Sequence, residues 1–342
     1  MIARSEKRAD ARDLRGDAEE PPDAPDARNT ELAPRERPRS DDEADDTRGL
    51  RGDAEAPPDA ADTPPARPTP RERPRSDDEA ANARGLKVHL RVTSVGGVTY
   101  HIVSLRPSTV VRFSTNFFHQ TWHVLTGRPG AAALARLLWG LSFQRTPNTL
   151  VMLDHPHVVP TPFEGDRGDP IALIPASLTR FDAAHLPALR RRLAAPPTKT
   201  IRWHTFGLPA AIDAPRPLWS WRPRPEHSLE RMSRAGGVVC YTAPPTLLRE
   251  TALHVHAVRE FGPMSYVPVA NRDRSTWRPD GEFQIFSNFE EQVAAAIVAR
   301  REVVDVPPAA LLSMEARQAV WKQQERVLAR RRAARQRSAR AS

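Results

Sequence analysis

The chain has 342 residues, room for two domains or one large one. Lys and Arg number 51 against 42 Asp and Glu, a net charge of +9, and apolar residues make up 39%, below the ~45–50% of an average globular protein. No apolar run approaches the roughly 20 residues that cross a bilayer, one cysteine excludes an internal disulfide framework or a cysteine-rich zinc site, and the first residues lack the apolar stretch of a secretory signal; the expectation is a cytoplasmic protein.

Residues 1–86 contain no Phe, Trp, Tyr or Val and hold 12 of the 35 Pro. Such a segment cannot bury enough apolar surface to offset an ordering cost of roughly 1–2 kcal/mol per residue, and it is expected to be disordered. It also carries a duplication. The decapeptide Arg35–Ala44 recurs unchanged at Arg71–Ala80, an offset of 36 residues. Neither copy has the apolar face of a solenoid repeat, so the reading is a tandem duplication within a tail. With 16 basic and 23 acidic side chains the tail is net −7, which leaves +16 for the remainder. It is expected to act as a spacer or as a weak screen for the basic part. Two Arg-Gly-Asp tripeptides lie in it and a third at Arg167–Asp169, but an adhesion role needs secretion, which nothing here indicates.

Residues 87–305 read as a globular domain. Lys87–Thr93 alternates like a strand, with Val88, Leu90 and Val92 on one face. Gly96-Gly97 then signals a hairpin into Val98–Val103. Val110–Phe113 follows as a strand candidate, and Asn116–Leu125 is ambiguous. After Pro129-Gly130, Leu134, Leu137, Leu138 and Leu141 recur at helical spacing. Thr149–Asp154 and Ile171–Ile174 are short unbroken apolar runs, which is how buried strands read. A helix is expected over Phe181–Leu193 and a strand over Ile201–Phe206.

The Pro- and Trp-rich passage Pro215–Pro225 is incompatible with a helix interior or a central strand and is read as an extended loop. Gly236–Tyr241 is the next strand, and Pro244-Pro245 opens a helix to about Phe261. Tyr266–Val269 and Glu282–Phe286 are strand candidates. Ser287 or Asn288 caps a helix through Arg301 with Glu290 and Glu291 in its first turn. Alternation of strands and helices, opened by a hairpin, predicts an α/β fold with a mixed sheet and helices on its faces.

Residues 306–342 form the third segment, a basic helix. Ser313 and Glu315 suit its start, and Leu312, Ala316, Val320, Val327 and Leu328 make a partial apolar stripe. From Met314 to Ser342 there are 9 basic and 2 acidic side chains, with Arg330, Arg331, Arg332, Arg335, Arg337 and Arg340 crowded at the end. Such a run neutralises phosphates and releases condensed counterions, so nucleic acid is the expected partner, with an anionic membrane surface as another polyanion of the right sign. No aromatic follows Trp321 to stack bases, and no helix-turn-helix, zinc-finger or RNA-recognition pattern is legible.

A rival reading centres on Asp154-His155-Pro156-His157 at the end of an apolar strand, where open α/β sheets bind ligands. Asp154, His155 and His157 are the types that ligate a divalent metal, and Glu164, Asp166 and Asp169 add oxygen donors nearby; a metal-activated water would make this a hydrolase. A third reading is a partner-binding protein that uses the Trp219–Trp221 loop and the terminal helix. Weaker signals are His119 and His123, at helical i, i+4 spacing but without the Glu of a zinc-protease motif; Cys240, read as core; Gly127–Gly130, an anion site at a helix start; and His254 with His256, which a helix turns apart.

Overall fold

The computed structural model describes residues 85–179, 182–214, 228–270, 279–303 and 313–341. Residues 1–84 of the expected tail and the Trp219–Trp221 loop lie outside that set. The fold is mixed α/β with two mixed sheets.

In chain order, strands β1 (Leu86–Val95) and β2 (Val98–Leu105) form the expected hairpin; Gly96 and Gly97 turn it with φ of +57° and +76°, the left-handed pair that a two-residue turn requires. β3 (Phe113–Phe118) and β4 (Thr121–Gly127) form a second hairpin. Helix α1 (Arg128–Leu141) follows directly, with Pro129 in its first turn. Its leucines at 134, 137, 138 and 141 are all buried. Then come β5 (Thr149–Leu153), β6 (Ile171–Pro175), a 3₁₀ turn at Ala183–His185, α2 (Leu186–Arg192), β7 (Lys199–Trp203) and α3 (Leu208–Asp213). The chain continues through β8 (Arg231–Ala235), β9 (Val238–Ala243), α4 (Pro245–Val258), β10 (Met264–Val269), β11 (Gly281–Phe286), α5 (Phe289–Glu302) and α6 (Met314–Ala341).

The larger sheet has the order β7-β1-β2-β5-β6-β9-β8, the smaller β10-β11-β4-β3. β2–β5, β6–β9 and β4–β11 pair in parallel and the other neighbours antiparallel. β5 and β6 are buried along their whole length, which explains their unbroken apolar sequences. The main core joins α1 and α4 to one face of each sheet. On the other face of the larger sheet, Tyr100, Ile102, Leu150, Met152 and Ile174 pack under Leu186 and Leu189 of α2. On the outer face of the smaller sheet, Leu125 and Phe286 pack against Phe289 and Val293 of α5, and α6 lies on α5.

Several expectations change. The ambiguous stretch Asn116–Leu125 is a hairpin whose turn residues, His119 and Gln120, both take left-handed φ, +49° and +63°. Without a glycine the turn carried no signal, and His119 and His123 are not on a helix. Of the expected helix over Phe181–Leu193, Phe181 lies outside the described residues, and from Asp182 on the chain is α-helical only from Leu186, because the Asp182 side chain accepts from Ala184 N at 2.8 Å and tightens the entry into the 3₁₀ turn. Val110 is exposed and β3 starts only at Phe113. Gly127–Gly130 serves packing: a Cβ on Gly130 would lie 1.8 Å from Thr126 Oγ1 and 3.0 Å from Arg112 O.

Candidate nucleic-acid interface

Helix α6 begins where the sequence places its cap: the Ser313 hydroxyl accepts from Ala316 N at 3.2 Å. At 28 residues it is twice the length of α5, about 42 Å at 1.5 Å per residue. Val320 and Val327 are buried against Ala295 and Ala299, small residues that let the two helices approach closely. Between them the buried Gln324 donates from Nε2 to Pro162 O at 2.7 Å and Gln292 O at 3.3 Å. At its first turns Trp321 stands edge-on to Phe118, 6.2 Å between centroids, and Arg317 lies 3.5 Å from the buried Glu164 carboxylate. Burial raises the Glu164 carboxyl above the usual carboxylate range against the opposing pull of Arg317. The helix is therefore docked along its first half, not free.

The six terminal arginines divide into two groups. Arg330 donates to both oxygens of Glu302, at 2.7 and 2.9 Å, and Arg335 to Glu291 at 2.7 Å. Arg331 donates to Ala294 O at 3.3 Å. These three bind α6 to α5. The descending order of their α5 partners as α6 advances shows that the helices run antiparallel. Hydrogen bonds from Gln323 and Arg330 hold the Glu302 carboxyl below its usual value. Arg332, Arg337 and Arg340 are exposed and have no carboxylate partner among the described residues. Arg326 is exposed too and contacts only the neutral side chain of Gln323. At 100° per residue, Arg326, Arg330, Arg337 and Arg340 fall within one sector of the helix, over about 21 Å of its length. Between Arg326 and Ala341 the helix contains no acid.

The residues considered as metal ligands are not gathered around one point. Asp154 Oδ2 accepts from Arg190 Nε at 2.9 Å, and its Oδ1 accepts from His155 N. His155 is exposed while His157 is buried, so the two rings do not share a surface. The His157 ring nitrogens lie 3.3 Å from Val111 O and 3.1 Å from Arg106 O; a neutral imidazole donates to one of these carbonyls and turns its lone pair to the other, so neither nitrogen faces an open ligand position. Burial holds that imidazole below its usual pKa. The three acids of the next loop are claimed by three arginines from three elements: Glu164 by Arg317, Asp166 by Arg300 at 2.8 Å, and Asp169 by Arg234 at 2.6 Å. No group of three or more His, Cys, Asp or Glu with metal-binding geometry occurs among the described residues. Cys240 is buried and its thiol is pushed up to about 12 by desolvation, so it is not a thiolate nucleophile at neutral pH.

Two features escaped the sequence. Asn116, His123 and Glu282 form a polar row across β3, β4 and β11: His123 Nδ1 is 2.8 Å from Asn116 Oδ1, and its Nε2 is 3.8 Å from Glu282. Burial, reinforced by His119, lowers the His123 pKa to about 4, so the ring is neutral. The second is the polar side of β1, where Lys87, His89 and Arg91 alternate with the apolar residues that marked the strand. The same alternation that marks the strand by its apolar side places these three on the opposite face.

No helix among the described residues is long and apolar enough to cross a membrane. No family model matches the chain, no curated protein matches it, and no solved structure matches it.

Proposed function

We propose that this protein binds nucleic acid through the phosphate backbone, with the outward arginines of α6 as the contact and no readout of base sequence. The division of the terminal arginines carries this reading. Arg330 and Arg335 are neutralised by acids of α5, whereas Arg332, Arg337 and Arg340, joined by Arg326, keep their charge toward solvent on a helix held firmly by its other side. Guanidinium groups pair with phosphate oxygens bidentately, and a docked helix presents them with less entropy to lose than a free tail does.

Fluorescence anisotropy of labelled duplex DNA with the full chain tests the reading. Each phosphate contact contributes about 0.9 to the slope of log K against log salt, so Arg326→Gln, Arg337→Gln and Arg340→Gln together lower that slope by about 2.7. Binding that is absent at low salt, or that ignores salt, overturns it.

A further inference from the structure

β1, β2 and β7 are neighbours in the larger sheet, and none of their residues is acidic. On the face they share, Tyr100 and Ile102, toward the Gly96-Gly97 turn, pack under Leu186 and Leu189 of α2. Toward the other end it displays basic side chains in cross-strand register. Lys87 stands opposite Arg202, and His89 opposite Thr200 on one side and Ser104 on the other. Arg106, one residue past the end of β2, continues the register beside Lys87. Arg91 closes the row. Its guanidinium donates from Nε to Ala195 O at 2.9 Å and from Nη1 to Ser104 Oγ at 2.8 Å, which fixes its plane without neutralising its charge. Lys87 and Arg202 are exposed, and His89, Arg91 and Arg106 are half-buried. Asp154, which follows β5 at this end of the sheet, is occupied by Arg190.

The two arginines also act on His89. Burial, with the charges of Arg91 and Arg106, holds the His89 imidazole below its usual pKa. Like charges gathered on one open face cost free energy in the empty protein, and a bound anion relieves that cost. Their layout selects the kind of anion. A small phosphate needs donors that converge; here they are spread over a sheet face. Along β1, Lys87, His89 and Arg91 repeat every second residue, about 6.8 Å apart, close to the separation of consecutive phosphates along a nucleic-acid strand.

We propose that Lys87, His89, Arg91, Arg106 and Arg202 form a second nucleic-acid site, which takes the phosphodiester backbone of a single strand laid along β1. This rests on the nucleic-acid reading above but uses a different surface from α6. No exposed aromatic lies in the row, so it holds backbone and leaves the bases outward.

The test is anisotropy of a short labelled single-stranded oligonucleotide with the full chain over about 50–200 mM salt. The parent is compared with a sheet variant (Lys87→Gln, Arg106→Gln, Arg202→Gln) and a helix variant (Arg326→Gln, Arg337→Gln, Arg340→Gln). Glutamine retains length and polarity, and a thermal melt of each variant verifies the fold. At roughly 0.7 per contact on a single strand, the sheet variant lowers the salt slope by about 2 relative to the parent. The helix variant retains a part of the binding that adding the sheet substitutions abolishes. A sheet variant with the parent slope, beside a helix variant that has lost binding, overturns this site and leaves the α6 reading standing. Failure of the parent to bind overturns both. Inorganic triphosphate that displaces the oligonucleotide at equal concentration overturns the extended-strand assignment.

Discussion

Arg330 reaches across the α5–α6 hairpin and holds both carboxylate oxygens of Glu302, at 2.7 and 2.9 Å. One nitrogen, Nη2, makes both contacts, and the pair takes the first of the terminal arginines out of contention for a ligand, although it lies in the same sector as Arg326, Arg337 and Arg340. Glu302 also accepts from Gln323, about two turns before Arg330 on α6.

Releasing Arg330 converts an internal contact into an external one. Glu302→Gln leaves the guanidinium charged and without its partner. The expected outcome is a melting temperature close to that of the parent, since exposed ion pairs contribute little, together with a duplex-DNA salt slope steeper by about 0.9. Parallel calorimetry and anisotropy on the one variant measure both.

Two desolvated imidazoles, the buried His123 and the half-buried His256, make the fold sensitive to mild acid. Burial lowers His123 and His256 to about 4 from an ordinary 6.5, so between these values the unfolded chain binds protons that the folded chain refuses. Folded pKa values below unfolded ones mean that stability is complete above pH 6.5 and declines as pH falls toward 4. Urea unfolding at several pH values is expected to show this decline, and His123→Gln is expected to remove about one proton's share of its slope.

The turn between β3 and β4 places His119 and Gln120 in left-handed backbone that side chains with a Cβ avoid. Gln120→Gly relieves this at one position, and the gain is expected to be about 1 kcal/mol, read as a rise in melting temperature. The same substitution at Ala211, inside α3, is expected to destabilise the protein instead.

What the sequence made legible follows from how local each signal is. Leu134, Leu137, Leu138 and Leu141 announce α1 because their spacing is the helix period, and Gly96-Gly97 announces the first hairpin because the turn needs that backbone. His119-Gln120 adopts the same backbone with no residue that favours it, so the second hairpin was hidden. At the candidate sites the deciding partners are remote. Asp154 looks like a ligand until Arg190, 36 residues on, is seen to hold it. The terminal arginines look equivalent until Glu302 and Glu291, 28 and 44 residues earlier, separate them. Charge could be counted from the sequence; its neutralisation required the fold.

The larger sheet ends in β7 on one side and β8 on the other, and both bear cations: Lys199 and Arg202 on the first, and Arg231 on the second, where Arg234 is already paired with Asp169. A strand border with free amides and carbonyls invites another molecule to extend the ladder. A second copy approaching either margin meets its own sign of charge there, which opposes self-templated ribbon growth from both directions.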